Sequence, residues 1–211
     1  MSIPPRSWAL PGLLVVAGVL GAGTIGAWEN PPPVLGVPAT AAESAVDRRA
    51  LVARLNNATG TLTIYRLELD RAEAVIAFSG RYRIPADRAA QVYDVALGEG
   101  VDPGLAFSLV QIESSFDPRA TSRTGAIGLT QILPSTARLY RPDLSLEQLY
   151  QPETNLRLGF RFLHDLLNRF QSVDHALVAY SVGPVTVKRL LAGGTEVQTA
   201  YSRSVARGFR R

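Results

Sequence analysis

No cysteine occurs among the 211 residues. That excludes disulfides, thiolate zinc sites, a cysteine nucleophile and lipid attachment through cysteine. Histidine is nearly as scarce. His164 and His175 stand singly, without the spacing of a metal site, and two isolated histidines leave a Ser-His-Asp triad without its base. Both read as structural or solvated side chains. HExxH, Walker and GxSxG sequences are absent too, and no βαβ alternation appears. The pattern calls for no metal and no cofactor. Lys188 is the only lysine, although the formal net charge is +4, so arginine carries nearly all the positive charge. Such a balance suits a polyanion: nucleic acid, anionic lipid or an acidic cell-wall polymer. No nucleic-acid motif accompanies it, and the closing Arg203, Arg207, Arg210 and Arg211 read as a solvated tail.

What is present suffices for one domain plus a tail or anchor, since hydrophobic residues make up 46% of the chain. Residues 1–29 contain an uncharged run from Trp8 to Trp28, long enough to cross a bilayer as a helix. Arg6 before it and Glu29 after it place the N-terminus in the cytoplasm. A cleaved signal peptide is the rival reading, and both export the rest of the chain. Residues 30–38 (NPPPVLGVP spans Asn30 to Pro38) form a Pro-rich, semi-rigid linker. Residues 39–84 read as a helical stalk. In it Leu51, Leu55, Ala58, Leu62, Tyr65, Leu69, Ala72 and Ile76 alternate spacings of four and three, as in a coiled-coil seam. Two readings stay open: a helix packed on its own domain, or a homodimer seam over residues 51–76. Thr59-Gly60-Thr61 is a weak helix centre for either.

Residues 85–211 form a series of short helices with clear stops. Ala86 to Gly98 is one. Asp102 followed by Pro103 is an N-cap with proline at the first helical position. Ser145 with Gln148 is a capping box. Leu156, Phe160, Leu163, Leu167 and Phe170 make one apolar stripe. The expected fold class is mainly α. Within this region Glu113 ends the apolar run Gly104 to Ile112 and precedes a polar turn, Ser114 to Pro118. A carboxylate half inside a core has its charged form disfavoured and its pKa raised, which suits a general acid. Turns that gather in sequence after it contain Gly125, Gly128 and Gln131, then Pro134-Ser135-Thr136, and finally Ala179-Tyr180-Ser181 before Gly183-Pro184. The one nearby second acid, Asp117, precedes a proline, where aspartate commonly bonds its own turn.

Taken together these motifs resemble the catalytic domain of lytic transglycosylases of the soluble-lytic-transglycosylase (SLT) type, in the goose-type lysozyme-like superfamily. The match rests on Glu113-Ser114, Gly125-Ala126, Gly128 to Gln131, Pro134 to Ala137, Pro152 to Leu156 with Gly159, Ala179-Tyr180 and Tyr201. It covers the chain from about Ala86 onward. The resemblance implies a lysozyme-like α-helical domain whose single acid/base is Glu113. Ser114, Gln131, Tyr180, Ser181 and Tyr201 are the implied substrate-binding residues. The implied partner is the peptidoglycan glycan strand. The implied reaction cleaves the β-1,4 bond between N-acetylmuramic acid and N-acetylglucosamine and leaves 1,6-anhydro-muramic ends. An intramolecular hydroxyl as nucleophile removes the need for the second carboxylate of ordinary glycosidases. The implied location is the cell envelope, outside the cytoplasm, with the membrane reached through the N-terminal helix.

The chain departs from the family pattern at Thr130, where methionine is frequent, and at Ser181, where asparagine usually follows Ala-Tyr. Serine lacks the amide donor, so retuned activity is expected. Two other functions stay open: a muramidase that hydrolyses the same bond, favoured if Asp117 is functional, and a peptidoglycan-binding module without turnover.

Overall fold

A computed structural model describes residues 41–209, with side chains from residue 46. The Trp8–Trp28 run and the Pro-rich linker lie outside the described residues. Among the described residues no helix is long and apolar enough to cross a membrane. The described chain divides into two units between Asn57 and Ala58.

The described chain is mainly α-helical, and two isolated bridges, Thr121 with Ile127 and Ile127 with Ile132, are its only β pairing among the described residues. The first helix, α1 (Ala41–Tyr82), contains no proline and continues through Gly60. It stops where Arg83 turns left-handed, with φ 55°, ahead of Ile84 and Pro85. Ser79 fastens that stop, its carbonyl accepting from the Ile84 amide and its hydroxyl donating to the Ile84 carbonyl. Proline then bars any continuation. Leu51, Leu55, Leu62, Tyr65, Leu69 and Ile76 of the heptad-like row are exposed, as is Ala58.

The last two turns of α1 behave differently. Val75 is buried, and Phe78 stacks on Phe107 with ring centroids 4.1 Å apart. They join a core built round α3 (Pro103–Ser114), whose residues Leu105 to Val110 are all buried. Asp102 caps α3 by accepting from the Leu105 amide, and Pro103 occupies the first turn, as the sequence predicts. Against α3 pack α2 (Ala86–Gly98) and α9 (Ala200–Phe209). The long helix α6 (Pro152–Phe170) supplies Leu156, Phe160 and Leu163 to the same core. A second, smaller core lies under α4 (Pro134–Tyr140) and α5 (Leu146–Tyr150), where the Ser145–Gln148 capping box forms in full. A third joins α6 to α7 (Val173–Val182) and α8 (Pro184–Ala192).

Candidate active site

The site is built where the C-terminal end of α3 meets the turn-rich segment 120–133 and the ends of α7 and α9. Because α3 is buried along most of its length, Glu113 in its last turn emerges at the edge of the core. It lines an open cavity of about 480 Å³ together with Ile112, Gln131, Tyr180, Ser181 and Tyr201. Among the described residues that line it, no arginine, lysine or second carboxylate appears. Burial pushes the Glu113 carboxyl up to about 7, and a hydrogen bond from Tyr201 pulls the other way. The desolvation effect wins, so the acid is about half protonated at neutral pH.

Tyr201 donates its hydroxyl to Glu113 Oε1. Burial and the Glu113 charge raise the tyrosine's own pKa strongly, so it stays a donor. Its position is fixed by the start of α9. There the Thr199 side chain accepts from the Ser202 amide, and the Ser202 hydroxyl accepts from the Thr199 amide. That reciprocal cap satisfies two otherwise unpaired amides. Eighty-eight positions separate Tyr201 from Glu113, so no local pattern could pair them.

Tyr180 also faces the cavity, but its hydroxyl is committed to the Thr130 carbonyl at 2.8 Å. Burial, first, and the Glu113 charge, second, keep it protonated. Gln131 sits at φ 47°, a left-handed conformation that costs of order 1–3 kcal/mol for a residue with a side chain. Its amide nitrogen donates to the carbonyls of Ala120 and Gly128, at 3.1 and 3.0 Å. That commits its donors and leaves the carbonyl oxygen as the group it can offer to a ligand. Ser181 lines the cavity beside Tyr180 and makes no side-chain hydrogen bond among the described residues.

Ser114 is placed differently. Its hydroxyl faces the carbonyls of Val110 and Leu129, at 3.2 and 2.8 Å, and it is not among the residues lining the cavity. It ties the end of α3 to the segment that carries Gln131. Asp117 closes its own turn by accepting from the Arg119 amide at 2.8 Å, and it is likewise outside the cavity lining. Thr136, from the Pro134-Ser135-Thr136 motif, lines the wall as well, together with Ser122, Thr124 and Phe162, to which the sequence assigns no site role.

Behind the wall lies Asn155, buried at 1% exposure. Its side-chain oxygen accepts from the Thr130 amide and hydroxyl, at 2.9 and 2.8 Å. Its amide nitrogen donates to the carbonyls of Ile127 and Leu149. One side chain thereby fixes the Gly128–Gln131 turn. Gly128, at φ 74°, is required there because a Cβ would collide with the Asn155 amide, and a Cβ on Gly159 would collide with Thr130. Asn155 falls within the Pro152 to Leu156 motif, but nothing in that motif points to the Gly128–Gln131 turn as its partner.

A family model described as the Transglycosylase SLT domain matches residues 93–202, just over half of the chain. A transglycosylase of Enterobacteria phage PRD1 is 41% identical over 83 residues, covering 39% of this chain and 30% of the phage protein. The membrane-bound lytic murein transglycosylase E of Buchnera aphidicola is 40% identical over 82 residues, covering 36% of this chain and 37% of its own. The chain thus spans about a third of the length of each. A solved structure of an inactive mutant of the lytic transglycosylase Slt from Pseudomonas aeruginosa superposes with a TM-score of 0.46 at 26% identity. That superposition covers 57% of this chain and 21% of the other.

Proposed function

The chain belongs to the transglycosylase SLT-domain family, and from that premise we infer that it is a peptidoglycan lytic transglycosylase with Glu113 as its single acid/base. The observation that carries this reading is a half-buried carboxylic acid raised to about 7, held by one tyrosine, in a cavity lined by no other carboxylate among the described residues. In its protonated form Glu113 gives its proton to the glycosidic oxygen as the bond to muramic C1 breaks. The resulting carboxylate takes the proton of the muramic C6 hydroxyl as that oxygen bonds to C1. The proton count balances, water is not consumed, and the product ends in a 1,6-anhydro ring. A pKa near the working pH suits both halves of the cycle. Tyr201 orients the carboxyl and stabilises it once ionised.

Gln131 offers an acceptor, and Tyr180 and Ser181 border the same space, so these residues are the proposed substrate contacts. Ser114 acts through the segment it fastens. A lysozyme-like catalytic domain over residues 85–211, an N-terminal membrane anchor or signal over 1–29, a linker over 30–38 and a stalk over 39–84 complete the proposal. Its location is the cell envelope outside the cytoplasm. The exposed row from Leu51 to Ile76 is the surface through which a homodimer would form.

Incubating the full chain with purified sacculi and analysing the products by mass spectrometry tests the chemistry. Wild type is expected to release muropeptides with 1,6-anhydro ends, and Glu113→Gln to lose about 10²- to 10⁴-fold in rate. Reducing ends in place of anhydro ends would make the enzyme a muramidase. Binding without release, or equal activity of the variant, would sink the catalytic assignment.

A further inference from the structure

Among the described residues Arg66, Arg71, Arg157 and Arg161 each meet a carboxylate. Three of the others gather around the outer face of α9. Arg81, Arg203 and Arg207 form no ion pair among the described residues. Arg81 donates to the Gly208 carbonyl, and Arg207 to the Arg203 carbonyl and the Ser204 hydroxyl. The Arg203 guanidinium makes no hydrogen bond among the described residues. These arginines border two cavities that share Arg207. One, of about 280 Å³, is lined by Asp174, Gln198, Arg203 and Arg207. The other, of about 540 Å³, is lined by Arg81, Ser204 and Arg207.

Two features make this more than a solvated face. Arg203 and Arg207 are four residues apart on one helix, where like charges repel. In the smaller cavity opposite charges are also held apart. Asp174 shares the space with both arginines yet pairs with neither, its Oδ1 is buried without a partner, and its Oδ2 accepts only from Gln198 at 3.3 Å. A buried oxygen left unpaired forfeits its hydration without replacing it. A bound group carrying both signs would relieve both strains, with an ammonium beside Asp174 and carboxylates against the arginines.

We propose that this α9 groove binds the peptide branch of peptidoglycan, a peptide bearing several carboxylates and one ammonium. The inference rests on the function proposed above. Three guanidinium charges less one carboxylate leave the groove at +2. A branch ending in diaminopimelate carries three carboxylates and one ammonium, a complementary −2. A phosphate polymer or an anionic lipid surface matches the arginines but meets repulsion at Asp174. The reach is also suitable. Asp174 precedes the cavity-lining Tyr180 by six residues on α7, about 9 Å at the helical rise. Three extended residues span about 10 Å.

The test is calorimetric titration of the full chain with N-acetylated L-alanyl-γ-D-glutamyl-diaminopimelate. Wild type and Glu113→Gln should bind alike. The double variant Arg203→Gln/Arg207→Gln should bind about tenfold or more weakly, as expected for lost charge-assisted hydrogen bonds. Asp174→Asn should weaken this peptide but not one whose side-chain ammonium is acetylated. Absence of binding to wild type, or equal binding by the double variant, overturns the proposal. So does tighter binding to phosphatidylglycerol vesicles that Asp174→Asn strengthens, which would assign the face to a membrane surface. A parallel assay uses glycan strands stripped of peptide, which the double variant should cleave as fast as wild type. Failure of wild type to cleave any strand would refute the lytic reading, while the titration would still decide the groove.

Discussion

Glu99 and Glu113 both stand at the C-terminal end of a core helix, where the helix dipole disfavours an anion. Their surroundings are opposite. The Glu99 side chain is 5% exposed and accepts from Arg157 and Arg161, with Arg161 Nε at 2.9 Å. Glu113 has a phenol for a partner, and no cation lines its cavity among the described residues. Two guanidiniums pair with the Glu99 carboxylate, whereas one neutral hydroxyl does not offset the burial of Glu113. The same residue at the same kind of position is therefore a fastener in one region and an acid in the other. Its neighbours decide which.

The largest expected consequence is in stability. Folding raises the Glu113 pKa from an ordinary 4.5 to about 7. The native state then holds more protons than the unfolded state between those values, so stability falls as pH rises through that window. A shift of this size corresponds to about 3 kcal/mol above pH 7. Glu113→Gln removes that penalty. Urea unfolding at pH 8 should find the variant more stable than wild type by about that amount, with the two converging near pH 4. No convergence would mean that burial does not control this acid.

The comparison can next be broken by giving Glu113 what Glu99 has. Ser181→Lys places a cation in the cavity at an exposed position. An opposite charge within reach lowers a carboxyl pKa by about 1–3 units. Cleavage at pH 7 should fall roughly tenfold, and the alkaline limb of the pH profile should move to lower pH. An unmoved limb would detach that limb from Glu113. Conversely, Glu99→Gln removes the fastener. With both arginines half exposed, the loss should be about 1–2 kcal/mol of unfolding free energy, discounted for solvent screening, with the cleavage rate per folded molecule unchanged. The smallest effect is expected of Tyr201→Phe. Its hydrogen bond lowers the Glu113 pKa, so its removal should shift the alkaline limb upward. A downward shift would reverse the role given to Tyr201.

Much of this fold was legible because local chemistry dictates it. Asp102-Pro103, Ser145 with Gln148, and the stripe from Leu156 to Phe170 each form the element their pattern predicts. Glu113 was legible because an apolar helix ends on it. The direction of Ser114 was not, since a short hydroxyl after the acid can turn to the cleft or to the backbone, and the Leu129 carbonyl claims it. Nor does an apolar helical row name its partner. Within α1, Val75 and Phe78 pack on α3, whereas Ile76 beside them is exposed at 69%. Asn155 shows the same limit at the site. Three of its four side-chain contacts lie in a turn some 25 residues away, which periodicity cannot reach.

The central claim is that burial raises the Glu113 pKa to about 7, and its carboxyl stretch reports that directly. Infrared difference spectra between wild type and Glu113→Gln, taken across pH, isolate that one group. The account predicts a protonated carboxyl band that disappears with a midpoint of about 7. A midpoint at the ordinary 4.5 would contradict it and leave the cavity without its acid.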